Sequence, residues 1–426
     1  MESTVLPPAR LAVAVRSEHV WFLLGTSIAA VHVLDDSFLQ PEPGTSAGDH
    51  LASGLVPLAL IAVAAAAYPQ LRAGARAALA LVFGFLTVVA GAAEAGYYAL
   101  EIGPARDDYT GLLSIPAGVL LVGVGAVTLW RTRRRDDGRL RRFARRALLL
   151  ILAVPGAYQF IALASSYVMS HSARAVVPEA ALGTDYENVV FPAADGHRIA
   201  GWYIPSQNRA AVIAFPGRKG PQAHARMLAR HGYGVLLFDR SGEGASEGDP
   251  DGLGWAGDKD VLAAIAFLRM RADVDPERIG ALGLSTGGEV VLQTAARSDG
   301  LSAVVSEGAG VRSIREELEL SGAAKWAFLP QWALTTAATA IFTNEPPPPN
   351  MQDLVGQIAP RPILLIYAQN GQGGEELNSK FFDAAHEPKE LWEVPGAQHL
   401  GGITTHPQEY ERRVIAFFDS ALLGEE

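Results

Sequence analysis

The sequence predicts two regions of different fold class, an N-terminal helical membrane region and a C-terminal α/β domain. Hydrophobic residues make up 49% of the 426 residues and charged residues only 19%, and the mean hydropathy is +0.16. These values are more apolar than those of an ordinary soluble enzyme. Apolar stretches of membrane-spanning length recur up to about residue 170. After that point short strand-like runs alternate with helical segments, which predicts a mostly parallel, doubly wound sheet covered on both faces.

Composition excludes several classes of function. The chain contains no cysteine, so disulfides, thiolate metal sites and cysteine nucleophiles are absent. A formal net charge of −10 argues against a nucleic-acid partner. We place the membrane region at residues 1–170, a linker at 171–184 and the α/β domain at 185–426.

Five apolar stretches in the first region have the composition of transmembrane helices. The last four approach the roughly 20 residues that cross the hydrocarbon layer. The first is shorter and carries His32 near its end. The predicted spans are residues 17–34, 51–68, 77–100, 112–130 and 147–168.

Charges in the connecting loops predict the orientation of these spans. Arg10 and Arg16 precede the first span, Arg72 and Arg76 lie between the second and third, and nine arginines lie within residues 131–146. Basic loops stay in the cytoplasm, so the α/β domain after the fifth span is expected outside. Alanine and arginine usage suggests a bacterial cell membrane. The alternate loops contain Asp35, Asp36, Glu42, Asp49, Glu101, Arg106, Asp107 and Asp108.

Imidazole and carboxyl groups gather near the predicted outer face of this region. His32 is followed by Asp35 and Asp36, and Asp49 is followed by His50, while Glu94 lies within an apolar span. A divalent cation or a proton pathway could use such groups. No metal-binding motif of fixed spacing is present, however, so we favour an ordinary polar face and assign no metal ligand.

The α/β domain is predicted to begin with a hairpin, because two alternating runs flank Asp195-Gly196. Parallel strands and helices then alternate to the C-terminus. The predicted strands are residues 186–191, 197–205, 210–215, 234–239, 278–284, 303–306, 362–368 and 389–394. The predicted helices are residues 222–231, 258–271, 289–296, 377–385 and 407–422.

A glycine-flanked serine lies between the fifth of these strands and the helix that follows it. The segment Gly283-Leu-Ser285-Thr-Gly287 has the G-x-S-x-G spacing of a nucleophile elbow. The turn is tight, so the residues two before and two after the serine must lack bulk. Such a turn holds the serine in a strained conformation with its hydroxyl exposed.

Residues 185–423 resemble an α/β-hydrolase domain of the group that contains serine aminopeptidase-like and dienelactone hydrolase-like esterases. The resemblance rests on motifs in the family's order, with the elbow at Ser285 fourth of five. The other four are the hairpin at Asp195-Gly196, the loop Phe215-Pro-Gly217-Arg218, the turn Asp239-Arg-Ser-Gly242-Glu-Gly244-Ala-Ser246 and the segment Pro395-Gly-Ala-Gln-His399.

This resemblance implies acyl transfer by Ser285 as nucleophile and His399 as general base, without a cofactor. His406 is a weaker candidate for the base because it precedes Pro407 and looks like the start of a helix. The resemblance also implies oxyanion donors in the backbone amides of Thr286 and of Arg218 or Gly217. The side chains of Arg218 and Lys219 are interpreted as solvated loop charges rather than as a site for an anionic substrate.

The triad acid departs from the family pattern, because no carboxylate follows the seventh strand at the expected distance. The chain there reads Gln369-Asn-Gly371-Gln-Gly-Gly-Glu375-Glu376. Three carboxylates remain candidates for the triad acid. In order of preference they are Glu376, Glu375 and Glu307, which lies at the end of the sixth strand. The alternative for the adjacent pair is a helix N-terminal charge with no catalytic role.

Residues 309–358 form the insertion where the family has its cap. A charged helix is predicted at residues 313–320 and an apolar helix at 325–342. The apolar helix could line an acyl pocket or lie on the bilayer surface. A sixth span is less favoured because Pro330 interrupts it.

We expect a membrane-anchored serine hydrolase of the carboxylesterase, lipase or thioesterase type. A peptidase or an acyltransferase would use the same triad, and a non-catalytic sensor or binding protein on this fold is a further alternative. The expected partners are the lipid bilayer and a small or acyl-chain substrate, and the sequence does not indicate an oligomeric state.

Overall fold

The computed structural model describes residues 8–41, 47–48, 50–97, 109–132, 138–171, 177–251, 253–323 and 325–424. The chain forms two compact units, residues 1–152 and 153–426. The division between the units lies inside the fifth helix, and the segment 171–184, predicted as a linker, falls within the second unit. Each unit is described separately.

The first unit is helical, as its apolar stretches predict. Four of its helices contain segments that are long and apolar enough to cross a membrane, and their positions overlap the first four predicted spans. These segments are Glu18–Leu39, Ser53–Gln70, Ala73–Ala92 and Thr110–Thr132. The helices are α1 (Pro8–Leu34), α2 (Leu51–Ala67), α3 (Ala73–Tyr97), α4 (Tyr109–Thr132) and the start of α5 (Arg139–Ser170).

Glycines allow α3 and α4 to pack closely. A Cβ atom on Gly84 would lie 2.7 Å from the carbonyl oxygen of Gly118, and one on Gly118 would lie 2.6 Å from the carbonyl oxygen of Gly84. Small residues at such a crossing let two helix backbones approach each other, which is a common means of packing apolar helices in membranes.

Hydrogen bonds account for part of the predicted polar face of this unit. Thr110 donates to Asp35 Oδ2 at 2.9 Å, and its hydroxyl also lies 3.4 Å from His32 Nδ1. Among the residues described, no group of three or more His, Asp or Glu side chains could hold a metal ion. Asp49 and Asp107-Asp108 lie outside the described residues, as does the side chain of Glu94.

The fifth predicted span, 147–168, falls within the long helix α5. The second half of α5 belongs to the second unit and is hydrogen-bonded to a helix of the hydrolase insertion. A hydropathy pattern does not reveal a contact between residues so far apart in sequence.

The second unit contains one eight-stranded sheet with the strand order β1-β2-β4-β3-β5-β6-β7-β8. The β1–β2 and β2–β4 pairings are antiparallel, and the other pairings are parallel. The predicted hairpin, sheet class and strand positions are confirmed. The strands are β1 (Glu187–Pro192), β2 (Arg198–Ile204), β3 (Ala211–Phe215), β4 (Gly234–Phe238), β5 (Ile279–Leu284), β6 (Ala303–Glu307), β7 (Ile363–Asn370) and β8 (Lys389–Gln398).

Helices cover both faces of this sheet, and a separate apolar cluster fills the space on each side. The central strands β3, β4, β5 and β6 are buried at every residue, as expected for a parallel sheet between helical layers. The helices are α6 (Gln222–Arg230), α7 (Gly257–Arg269), α8 (Thr286–Arg297), α9 (Ile314–Glu319), α10 (Lys325–Thr343), α11 (Met351–Val355), α12 (Asn378–Ala384), α13 (Gly402–Thr405) and α14 (Pro407–Phe418).

The insertion between β6 and β7 contains the two predicted helices, α9 and α10, and a third short helix that the sequence did not predict, α11. Ser313 and Glu316 form a reciprocal capping box at the start of α9. The carboxyl ends of β5, β6 and β7 meet at one edge of the sheet and position the site described next.

Candidate active site

The turn at Ser285 has the geometry that its glycine spacing predicts. Ser285 adopts φ 54° and ψ −124° between β5 and α8. A Cβ atom on Gly283 would lie 2.3 Å from the carbonyl oxygen of Gly287, and one on Gly287 would lie 2.5 Å from Pro216 Cδ. Larger residues do not fit at either position, and a positive φ at a non-glycine residue stores strain. The Ser285 amide also donates to the carbonyl oxygen of Glu307 at 2.8 Å, which ties the turn to β6.

Three side chains form a continuous hydrogen-bonded chain at this edge of the sheet. His399, which follows β8, lies with Nε2 3.0 Å from Ser285 Oγ. Its other ring nitrogen, Nδ1, lies 2.5 Å from Glu375 Oε1. A serine, an imidazole and a buried carboxylate in this order have the arrangement needed to activate a hydroxyl.

The structure brings Glu375 to His399, whereas the sequence favoured Glu376. Glu375 begins a short 3-10 turn, Glu375–Leu377, and its side chain is only 1% exposed. Glu376 points to solvent on the other side of the same turn. Adjacent residues of a helical turn face different directions, so only one of the pair can reach the imidazole.

A glycine-rich loop wraps the Glu375 carboxylate. The carboxylate accepts hydrogen bonds from the backbone amides of Ala368 at 2.9 Å and Gln372 at 3.3 Å. A Cβ atom on Gly371 would lie 2.5 Å from Glu375 Cδ, so a side chain there would displace the carboxylate. Gly374 has φ +90° and turns the chain back toward β7. Because of this loop, the carboxylate that reaches His399 comes from a residue farther along the chain after β7 than in the family pattern.

Glu307, the third carboxylate considered, lies behind the site and contacts the backbone beside His399. Its carboxylate accepts from the Gly402 amide at 3.1 Å and from the Tyr410 hydroxyl at 2.6 Å. The His399 ring is hydrogen-bonded to Glu375 and Ser285, and not to Glu307. Burial and the negative charge of Glu307 raise the pKa of Tyr410 well above the ordinary value. Glu307 thus holds the segment after His399 in place and does not occupy the position of a triad acid.

The environment of His399 raises the pKa of its imidazole above 6.5. The hydrogen bond to Glu375 is the largest cause, and partial burial opposes it. The negative charges of Glu375, Glu307 and Glu289 add to the increase. The imidazolium form is therefore favoured, as it must be if His399 is to take up a proton during a reaction.

The predicted oxyanion donors flank Ser285 on two segments. Thr286 is the first residue of α8, so its amide is among those with no intrahelical partner. Gly217 has φ +70° in the loop after β3. The Arg218 side chain is buried, donates to Asp239 Oδ2 at 2.5 Å and lies over the Trp202 ring, so the interpretation of Arg218 as a solvated charge is wrong. Lys219 is exposed, as expected.

A cavity of about 330 Å³ lies beside the oxyanion loop, between that loop and the turn after β4. Five charged residues are among those that line it: Arg218, Lys219, Asp239, Arg240 and Glu243. Its lining residues are Val177, Pro216, Gly217, Arg218, Lys219, Gly220, Asp239, Arg240, Glu243 and Gly244.

Sequence reasoning missed a buried ion pair next to the site, between Glu289 and Arg312. Arg312 Nε lies 3.1 Å from Glu289 Oε2, and the arginine side chain is 1% exposed. Glu289 Oε1 also accepts from the Gly310 amide at 3.1 Å. Burial raises the pKa of Glu289 to about 7, opposed by the charge of Arg312. One feature of the sequence could have indicated this ion pair. Glu289 is the single charged residue in the first three turns of α8 and lies one turn after Ser285.

This ion pair supports the loop that carries Glu375. Gly310 and Arg312 flank Val311, whose amide donates to the carbonyl oxygen of Gly373 at 3.0 Å. A Cβ atom on Gly310 would lie 2.3 Å from that same oxygen, so the two segments are in tight contact. The position of the Glu375 loop therefore depends on where Arg312 and Glu289 hold residues 310–312.

We expect Arg312→Ala to lower the free energy of unfolding by about 3–5 kcal/mol and to lower turnover as well, because it leaves Glu289 buried without a cation. Arg315→Ala is the matched control, since Arg315 is 58% exposed and pairs only with surface carboxylates. Its expected cost is about 0–1 kcal/mol. Thermal unfolding and turnover of the two variants provide the measurement, and equal effects would contradict the supporting role of the ion pair.

The chain resembles known proteins over the second unit. It is 28% identical to the uncharacterized Escherichia coli protein YfhR over 250 residues, which cover 55% of this chain and 81% of that protein. It is 32% identical to an uncharacterized Mycobacterium tuberculosis protein over 241 residues, which cover 54% of this chain and 75% of the relative. The solved structure of a Pyrococcus furiosus esterase superimposes with a TM-score of 0.50 at 22% identity, covering 60% of this chain and 98% of the esterase.

The likeness to the esterase establishes the α/β-hydrolase fold that the sequence motifs indicated. Residues 165–383, slightly more than half of the chain, match the family described as X-Pro dipeptidyl-peptidase (S15 family). The matched region contains Ser285 and Glu375 and ends before His399. The chain is a member of the S15 peptidase family of α/β-hydrolases.

Proposed function

We propose that this protein is a membrane-bound serine hydrolase that cleaves carboxylic ester bonds through an acyl-serine intermediate. The observation that carries the proposal is the hydrogen-bonded chain from Ser285 Oγ through His399 to Glu375 at the carboxyl edge of the sheet. Membership of a hydrolase family and the fold likeness to an esterase support it.

In the proposed mechanism the Ser285 hydroxyl oxygen attacks the substrate carbonyl carbon while its proton passes to His399 Nε2. Glu375 accepts a hydrogen bond from Nδ1–H and stabilises the imidazolium that forms. The backbone amides of Thr286 and of Gly217 or Arg218 donate to the oxyanion. His399 then protonates the leaving alkoxide. A water molecule, deprotonated by His399, hydrolyses the acyl-serine and regenerates the hydroxyl.

A peptidase is the second candidate, because the family match is to dipeptidyl-peptidases. The same three side chains can cleave amides, and a thioester or a transfer to another acceptor would use the same intermediate. A non-catalytic sensor or binding role would leave the serine without reactivity. The choice among these depends on the leaving group and the acceptor, which the triad itself does not determine.

We also propose that the protein is anchored in a bacterial cell membrane with the hydrolase domain outside the cytoplasm. Four apolar helices of spanning length support the anchoring. The arginines of the segment 131–146 support a cytoplasmic position for the loop before α5, so a fifth crossing would place the following domain outside.

The test is to treat the full chain in native membranes with a fluorophosphonate probe and locate the adduct by mass spectrometry. An adduct on Ser285 is expected, together with turnover of p-nitrophenyl esters that exceeds turnover of an X-Pro peptide amide. Absence of any adduct would reject a serine hydrolase, and preference for the peptide would favour the peptidase. A membrane-impermeant probe that labels only lysed cells would reject the proposed orientation.

A further inference from the structure

Helix α10 of the insertion presents an uncharged and strongly apolar surface. No charged residue occurs between Trp326 and Asn344. Trp326 is 63% exposed, Phe328 57% and Ile341 78%. These side chains lie near the two ends of α10, and large exposed apolar side chains of this kind are uncommon on a soluble domain and mark an interaction surface. Because these side chains face outward, they do not line an enclosed acyl pocket.

The second half of α5 extends this apolar surface. Ser166 donates to the carbonyl oxygen of Thr335 at 3.1 Å, and the Gln331 amide donates to the Tyr158 hydroxyl at 3.3 Å. The Tyr167 ring packs against Phe342 with centroids 5.9 Å apart. These contacts join residues 158–167 of α5 to residues 331–342 of α10, so the two helices touch through side chains. On α5 the exposed apolar side chains include Phe160, Leu163 and Met169.

Both ends of α10 are attached to the hydrolase domain. At its start, Lys325 Nζ donates to the carbonyl oxygens of Leu318 and Leu320. Just after its end, Glu345 Oε1 lies 2.5 Å from Nζ of Lys259, which belongs to α7. A helix held by one domain at both ends lies along a surface and does not cross a bilayer, so α10 is not a sixth span. The charged residues that flank α10 are therefore engaged with the hydrolase domain: Lys325 with carbonyl oxygens and Glu345 with Lys259.

We propose that α10 and the adjoining half of α5 form a second membrane contact of this protein, with α10 immersed in the apolar edge of one leaflet. A phospholipid bilayer fits this surface because the surface is uncharged, carries tryptophan at one end and belongs to a chain with four helices of membrane-spanning length. The hydrolase domain then rests on the bilayer through α10 and is not merely tethered to it. This contact goes beyond the proposed reaction and does not depend on it.

The absence of native cysteine makes a direct depth measurement possible. Trp326→Cys, Phe328→Cys and Ile341→Cys are made one at a time in the full chain, labelled with a nitroxide and reconstituted in phosphatidylcholine–phosphatidylglycerol vesicles. Met270→Cys and Val190→Cys are matched controls, because both are exposed apolar positions elsewhere on the hydrolase domain, 74% and 61% exposed. Collision of the nitroxide with apolar oxygen and with a polar nickel chelate is then compared by electron paramagnetic resonance.

Immersion predicts a ratio of oxygen to nickel collisions several-fold higher at the α10 positions than at either control. Nickel access equal to that of the controls would overturn the proposal. Low access to both reagents, with spin–spin broadening that disappears on dilution with unlabelled protein, would also overturn it and identify a second copy as the occupant. Three exposed positions keep the test informative if one variant fails to fold. No readout requires turnover, so a failed hydrolase assay and a failed membrane contact are distinguishable.

Discussion

Replacing Ser285 by alanine is expected to lower kcat for ester hydrolysis by about four to six orders of magnitude, the scale observed when a triad serine is removed. The alanine keeps the backbone of the turn, because serine already occupies its positive φ there. KM is expected to change little, since the hydroxyl acts mainly in the transition state. The fluorophosphonate adduct is expected to disappear in the same variant.

His399→Ala is expected to give a loss of similar size, because the hydroxyl and the imidazole act as one unit. For the same reason the double variant should be hardly worse than either single variant. Ser302→Ala is the control, since Ser302 lies at the opposite end of β6 and donates to the carbonyl oxygen of Glu277. Retention of turnover by Ser285→Ala, with the fold intact, would reject the proposed nucleophile.

Glu375→Ala is expected to lower kcat by about three to four orders of magnitude, because the imidazole loses the carboxylate that orients it and stabilises its charged form. Glu376→Ala is the matched control, adjacent in sequence but exposed, and its expected effect is less than about twofold. Steady-state kinetics on the pair decide between the structural assignment and the order of preference suggested by the sequence. A large loss in Glu376→Ala with none in Glu375→Ala would overturn the structural assignment.

The pH dependence separates Glu375 from residues that only support the fold. A base must be neutral, so kcat/KM falls as the pH drops through the pKa of His399. That pKa lies above the ordinary value of a histidine, chiefly because of the hydrogen bond to Glu375, so the acid limb of the wild-type profile is expected at a higher pH than a free imidazole would give. In Glu375→Gln the carboxylate that raises the pKa of His399 most is lost while burial still lowers that pKa, so the limb should move to lower pH. An unchanged limb would contradict this coupling.

The sequence by itself determined the fold class, the order of the strands along the chain and two members of the site. Strand and helix periodicities are local, and each strand of the central sheet appears where its apolar run predicts it. The nucleophile elbow was also predictable from the sequence, because the steric requirement for glycine at positions 283 and 287 is set within a segment of five residues. His399 was found because it follows the last strand in the family's order. Apolar stretches likewise located the first four helices of spanning length.

Only the tertiary structure decided which glutamate reaches His399. Glu375 and Glu376 are adjacent and chemically the same, and the choice between them depends on the path of the loop from Gly371 to Gly374. Two further contacts were equally hidden. Glu289 meets Arg312 across the fold, and α10 packs on α5 more than 150 residues earlier in the chain. Local patterns in the sequence predict which helices and strands form. These contacts join residues that come close together only when the helices and strands pack, so the periodicity of the sequence does not predict them.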